Sequence, residues 1–564
     1  MRYGSGKRRT VSLMLMALAC GCTTLGEYVH NGFKVGPNYT RPPAPTSPAW
    51  IDSADPRVRS DVPAPGPWWT VFGDPLLDSL IQTAHDQNLD FKTAGKRVLD
   101  ALAQRNISAG NLLPQSQTAL GAYAHAQISR NFGLPFPNTF NIWATGFNAS
   151  WELDYIGRLR RTIEAADANL NASIEDCHNV LVLLLAETAS NYVRLRTLQQ
   201  RLAYVRRNVE IQKQSLELAE LRFDKGVATE IDVSQARANL AQTEALIPPL
   251  ETGLRQANNQ LCLLLGLPPH PLEVYQKSGP IPTAPAEVAV GIPADLLRRR
   301  PDVRQAERLM AAQAARIGIA EADLYPRLIL FGFIGYTADT FAKLFDASSY
   351  TGLIAPIFQW NILNYGRLLN NIRANRARFQ GQVFTYQQTV LRAAREAEDA
   401  LVAFLRSQQQ AQQLEKSVAN YQRTVEVVMD QYRNGIADFN RVFTTEAALV
   451  QQQDQLAEVR GNIALNLIAL YRALGGGWEV HFGKGATPPQ HAPNFTAFSA
   501  EEKSPQPAEP IPAPRRLPPN PADAEAPPAS EHSPPRPGRP LLIGTSKHTV
   551  MEEGSPAGEP PSRP

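Results

Sequence analysis

Cysteine is scarce: four in 564 residues are too few for a fold built on disulfides. No CxxC, HExxH or histidine cluster suggests a metal site. Excess charge is also missing, and a formal +3 gives no field suited to nucleic acid. No apolar run beyond the N-terminus reaches 18 residues, which excludes a transmembrane helix. There is no Ser/His/Asp set and no phosphate loop, and the spacing of His85, His125 and His178 matches no catalytic pattern. These absences point away from an enzyme, and no cofactor is expected.

Proline is the opposite case, with 46 residues, nearly half of them after Trp478. A segment of that composition buries too little apolar area to offset chain entropy, so 479–564 reads as a Pro-rich disordered tail. At the other end, Arg2, Lys7, Arg8 and Arg9 precede a short apolar run, Val11 to Leu18. That is a secretory signal, too short to span a bilayer. It ends in Ala-Cys-Gly-Cys, so 1–22 reads as a lipoprotein signal region. Cys22 is the expected lipid anchor and Cys20 the alternative; each follows a small residue and neither has Leu three positions before it.

Sliding the chain on itself exposes a duplication. Gly157 and Gly366, Gly226 and Gly435, and Gly266 and Gly475 are each 209 residues apart. Three anchors at one offset leave no room for net gaps over about 110 residues. Within each copy apolar residues recur every seventh position. Leu195, Leu202, Val209, Leu216 and Phe223 precede one glycine; Val233, Leu240, Ile247, Leu254 and Leu261 follow it. The second copy has Phe404, Val418, Val425 and Tyr432, then Val442, Leu449, Leu456, Ile463 and Leu470. Sustained heptads predict coiled coil. A helix from Gly157 to Phe223 would be about 100 Å long, too long for one globular core. Each copy is therefore expected to hold a long helical hairpin, with Gly226 or Gly435 ending the outgoing helix at positive φ. Thr229 and Asp438, equivalent by the offset, are candidate caps of the returning helices. Pro248 and Pro249 should break the first returning helix, where the second copy has Ala457 and Glu458. Cys177 and Cys262 lie about 49 and 36 residues from the first turn, hence roughly 20 Å apart along the hairpin. A bridge needs Cα atoms within about 7 Å, so two structural thiols are expected.

Before each hairpin the period becomes two. Leu120, Ala122, Ala124, Ala126 and Ile128 share one face of a first strand. Trp143, Phe147, Ala149, Trp151 and Leu153 share a face of the next, with Asn148, Ser150 and Glu152 opposite. "RLILFGFIGY" and "YTGLIAPIFQWNIL" supply the second pair, the latter with Ile354, Pro356, Phe358, Trp360 and Ile362 together. Apolar-aromatic out and small-polar in is the pattern of a membrane β-barrel. Four strands cannot close one, since the smallest have about eight, so self-association is a physical requirement.

These features resemble the TolC-like outer-membrane factor family, in its OprM/NodT-like lipoprotein branch. The resemblance spans about residues 35 to 478. It rests on "VGPNYTRP" (35–42), "WWTVFGDPLLDSLI" (68–81), "LLRRRPDVRQAE" (296–307), "ADLYPRL" (322–328) and the paired "RFDKG" and "YRNG". It implies a mainly α fold with a β-barrel: coiled-coil hairpins in two repeats (67–270 and 290–478) after an extended segment (23–66). Three chains would form a 12-stranded barrel and a 12-helix tube. The expected function is the outer-membrane, lipid-anchored exit duct of a tripartite efflux system, with its helices in the periplasm. The implied partners are a periplasmic adaptor and an inner-membrane transporter. The tips would meet the adaptor through Phe223, Gly226, Thr229, Tyr432, Gly435 and Asp438. Asp232, Asn440, Arg441 and Thr444 are expected at the periplasmic constriction. Two departures matter. Thr444 stands where the family often has an acidic ring, and residues 23–34 lengthen the stretch before "VGPNY". A type I secretion duct would use the same tube. A periplasmic coiled-coil scaffold would explain the hairpins but not the strands.

Overall fold

The computed structural model describes residues 24–482 apart from 60, 62–65, 130, 132–137 and 296–298. Cys20, Cys22 and all but the first four residues of the Pro-rich segment lie outside the described residues. In chain order, α1 (Leu25–His30) and β1 (Val58–Arg59) precede a 3-10 turn (Trp68–Phe72), α2 (Pro75–Gln87) and α3 (Leu89–Gly110). Strands β2 (Ser116–Gln127) and β3 (Thr139–Leu153) lead into α4 (Arg158–Asp224), which returns as α5 (Glu230–Glu244) and α6 (Ile247–Leu264). A short α7 (Glu273–Gln276) and β4 (Val288–Ala289) link the copies. The second copy is α8 (Pro301–Ala322), β5 (Arg327–Ala338), β6 (Tyr350–Gln359), α9 (Arg367–Arg433) and α10 (Phe439–Ala473).

The duplication is literal in the helices: α4 and α9 each have 67 residues, about 100 Å at 1.5 Å per residue. All three glycine pairs adopt positive φ. Gly157 and Gly366 turn the strand into the long helix, Gly226 and Gly435 turn the tip, and Gly266 and Gly475 end the return. The break expected at the prolines is present. Residues 245–246 are a turn and α6 restarts at Ile247, with its prolines in the first turn where no helical N–H is needed. The 35-residue α10 runs unbroken through the equivalent position at Ala457 and Glu458.

The heptad positions pack as expected at Leu195, Leu202, Val209, Leu254 and Leu261, all buried, and at Phe404, Val418, Val425 and Leu449. The largest core sits at mid-height, where Trp68, Trp69, Phe72 and Leu77 meet Tyr192, Leu261, Phe404 and Leu467. Trp68 stacks on Tyr471 with ring centroids 5.5 Å apart. The parallel pair β1–β4 ties the N-terminal segment to the linker, with Trp50 Nε1 donating to Gly291 O at 2.9 Å. Cys177 and Cys262 are both buried free thiols.

The four long strands form one antiparallel sheet, β2-β3-β5-β6. Its register places Phe147 between Ala119 and Ile334, and Tyr123 beside Trp143. One face therefore carries Tyr123, Trp143, Phe147, Ile334, Ile354 and Phe358, and Ile354 is 78% exposed. Leu120, Ala122, Ala124 and Ala126 lie on the other face, with Asn148, Ser150 and Glu152. The four β2 residues share one face, as expected, but it is the face opposite Trp143 and Phe147 of β3 and Phe358 of β6. Small residues occupy both sides of that strand, so its alternation carries little signal. The opposite face is also less polar than expected, holding Ile329, Phe331 and Phe333 of β5. Trp151 and Trp360, again 209 apart, close the sheet base. Their indole N–H groups donate to Leu112 O (3.0 Å) and Leu324 O (2.9 Å). That is the amphipathic placement suited to a membrane boundary.

Candidate functional site

The tips are built from backbone chemistry that the sequence repeats. In the first, Val227 N–H donates to Arg222 O (2.9 Å) and Gly226 N–H to Phe223 O (2.8 Å). In the second, Ile436 N–H donates to Gln431 O (2.8 Å) and Gly435 N–H to Tyr432 O (3.0 Å). Both are Schellman closures, which need the left-handed conformation found at Gly226 (φ 73°) and Gly435 (φ 77°). Both candidate caps are real. Thr229 Oγ1 accepts from Asp232 N–H, and the Asp232 carboxylate accepts in return from Thr229 N–H at 3.0 Å, a capping box. Asp438 Oδ1 accepts from Arg441 N–H at 3.1 Å.

The two tips are fastened to each other. Ala219, Val233 and Ala236 of the first hairpin pack with Val428, Tyr432, Phe439 and Val442 of the second. The Arg222 guanidinium lies 4.6 Å from the Tyr432 ring centroid, and its Nη1 donates to Tyr432 O and, at 3.4 Å, to Arg433 O. Phe439 meets Tyr432 edge-on, ring centroids 5.4 Å apart. Burial, with the nearby Asp232 charge, pushes the Tyr432 phenol up, and the Arg222 charge opposes this.

Above this cluster the seam between α4 and α10 turns polar. Glu446, 3% exposed, receives Asn239 Nδ2 at 3.1 Å and lies 2.6 Å from Ser215 Oγ. Burial pushes its carboxyl up, against the hydrogen bonds from Ser215 and Asn239. Higher still, Asn208 Nδ2 donates to Gln453 Oε1 at 2.8 Å, and Arg201 forks onto Asp454 at 2.6 and 2.8 Å.

Phe223 is 45% exposed, and Gly226, Thr229, Gly435 and Asp438 are exposed, so these five lie on the surface of the tips. Tyr432 does not: at 2% exposure it cannot offer its ring to a partner, and it shapes the tip from inside. The heptad register puts both Phe223 and Tyr432 on the apolar stripe, and only Tyr432 is packed there, against Arg222 and Phe439. Asn440, Arg441 and Thr444 are exposed along the first turns of α10. They do not bond to Thr229 or Asp232 within the chain. Asp232 is engaged in its capping box, and the Thr444 hydroxyl donates back to Asn440 O at 2.9 Å. The fastening is done by Arg222, Phe439 and the buried Glu446, which sequence reasoning missed. Glu446 could have been found as an acidic residue four after Val442 on the same packed stripe. Among the described residues no group of three His, Cys, Asp or Glu could hold a metal ion.

The comparisons converge. The family model described as "Outer membrane efflux protein" matches residues 80–267 and 292–476. The chain is 32% identical to the pyoverdine export outer membrane protein OpmQ of Pseudomonas putida, over 73% of this chain and 88% of that one. It is 30% identical to nodulation protein T of Rhizobium leguminosarum bv. trifolii, over 80% and 95%. The solved outer-membrane channel OprN superposes with a TM-score of 0.75 at 31% identity, covering 79% of this chain and 99% of that structure.

Proposed function

The chain belongs to the outer membrane efflux protein family, and from that membership we propose that it works as the exit duct of a tripartite efflux system, completed by three copies. The observation that carries the reading is the sheet. Among the described residues strands β2 and β6 each have one partner, which leaves both edges open, and four strands are half of the smallest membrane barrel. Three sheets joined edge to edge give twelve strands, with the aromatic face toward lipid. The paired hairpins of three chains continue that wall as a tube. Cys22, or Cys20, carries the lipid that holds the N-terminus in the outer membrane.

In this reading solutes pass outward without chemical change. The exposed tips at Phe223, Gly226, Thr229, Gly435 and Asp438 receive a periplasmic adaptor that links the duct to an inner-membrane transporter. Asn440, Arg441 and Thr444 narrow the periplasmic end. Opening requires the tips to splay, and the adaptor drives this only by binding the open state better.

Chemical cross-linking of the purified protein in detergent should stop at trimers; a stable monomer would contradict the duct. Arg441→Ala should raise single-channel conductance in planar bilayers, and an unchanged conductance removes Arg441 from the constriction.

A further inference from the structure

Glu446 is a carboxyl buried where three helices meet, α4, α5 and α10, and among the described residues no cation pairs with it. Its bonding partners are Ser215 of α4 and Asn239 of α5, both neutral and both in the other hairpin. Around it lie Met429 of α9, 3.5 Å from Ser215 Oγ, and the buried Val425, Val442 and Leu449. One turn higher on α4 the Gln212 side chain is 2% exposed, and both its amide atoms lack a partner. Charged groups on the surrounding helices are committed elsewhere or exposed. Lys213 of α4 pairs with Glu244 of α5 (3.9 Å), Arg237 with Glu220 (2.7 Å), and Asp232 closes its capping box. Glu217, Glu426, Asp430 and Arg441 are exposed.

The geometry suits a neutral acid. Glu446 Oε1–H can donate to Ser215 Oγ, whose own hydrogen then goes to Ile211 O at 3.2 Å, while Oε2 accepts from Asn239. Glu446 and Ser215 then each place their one polar hydrogen. The ionised form would hold a full charge in a buried seam without a cation beside it, a state that costs far more than a paired one.

We propose that Glu446 is a proton-dependent latch between the two hairpins: neutral, it joins α10 to α4 and α5; ionised, it draws water into the seam and loosens them. The proposal rests on the duct reading only for its consequence, since separating these hairpins is what opening the periplasmic end requires. Burial raises the carboxyl from its ordinary 4.5 in the closed seam, whereas a hydrated, open seam returns it toward that value. Closed packing is therefore fully favoured below the ordinary value. It weakens as pH rises from there to the raised value, and stays weakened above it. The unpartnered Gln212 amide is placed to receive the first water.

The test compares the wild-type trimer with Glu446→Gln, which keeps an acceptor for Asn239 and an amide that can donate to Ser215. Hydrogen exchange of peptides covering 208–219 and 442–453, corrected for intrinsic rates, is read from about pH 4.5 to about pH 8. The wild type should lose protection severalfold across the range; the Gln variant should stay protected throughout. Planar-bilayer conductance should rise with pH in the wild type and remain at its acid value in Glu446→Gln. Parallel pH profiles in the two proteins would overturn the latch. Absence of any conductance would instead defeat the duct reading, and the exchange profiles would still decide the latch. Ser215→Ala separates this from mere packing: a latch narrows the pH response, whereas a structural role lowers protection equally at every pH.

Discussion

The two hairpins share their length, their turn and their glycines, yet they differ at both ends of the return. The first returns through a broken helix, α5 then α6, and keeps Phe223, Val227 and Ile231 exposed at its tip. The second returns through one unbroken α10 and turns Tyr432 and Phe439 inward. Duplication has preserved what geometry demands, which is the rod length and the left-handed residue. It has released what each rod touches. Both tips present an apolar residue outward, Val227 and Ile436, but only the first adds Phe223 and Ile231, while the second supplies the aromatic anchor that holds the pair together.

The largest expected break in this comparison is Tyr432→Ala. It removes a buried ring wedged between Arg222 and Phe439 and should cost about 3–5 kcal/mol of local stability. The equivalent Phe223→Ala should cost within about 0.5 kcal/mol, because that ring is half in water. Thermal unfolding with hydrogen exchange at the tips separates the two, and equal losses would contradict the division of labour. Next come Gly226→Val and Gly435→Val, each forced into left-handed backbone at about 1–2 kcal/mol. Because the turns are identical, the two penalties should match, and both variants should keep trimers while losing transport in an export assay. Normal export by both would show that the tips do not dock. The smallest effect sharpens the contrast: Pro248→Ala with Pro249→Glu installs the pair found in α10. Amides at 245–247 should gain protection while overall stability moves by less than about 0.5 kcal/mol. Unchanged exchange there would assign the break to something other than the prolines.

Much of this architecture was legible in the residues because repetition amplifies weak signals. A single glycine in a helical run says little, but three pairs at one offset mark the corners of both rods. The proline break was legible because its counterpart in α10 is ordinary helix. The faces of β2 were not, because alanine and glycine occupy both sides and leave the period-two pattern without contrast. Tyr432 was misassigned for a related reason: sequence alignment to Phe223 equates position, while packing against Arg222 and Phe439 decides exposure. Glu446 went unread because heptad counting follows apolar residues and passes over an acid on their stripe. The helix α1 in 25–30, held by a capping box between Thr24 and Glu27, had no periodicity long enough to register.

The central claim is that one chain carries two rods and a third of a wall, and that the wall closes only through copies of itself. Single-particle electron microscopy of the detergent-purified protein tests it most directly. The account predicts hollow, three-fold symmetric cylinders, with a helical section about 100 Å long below a short barrel. Isolated rods without a central channel would contradict it.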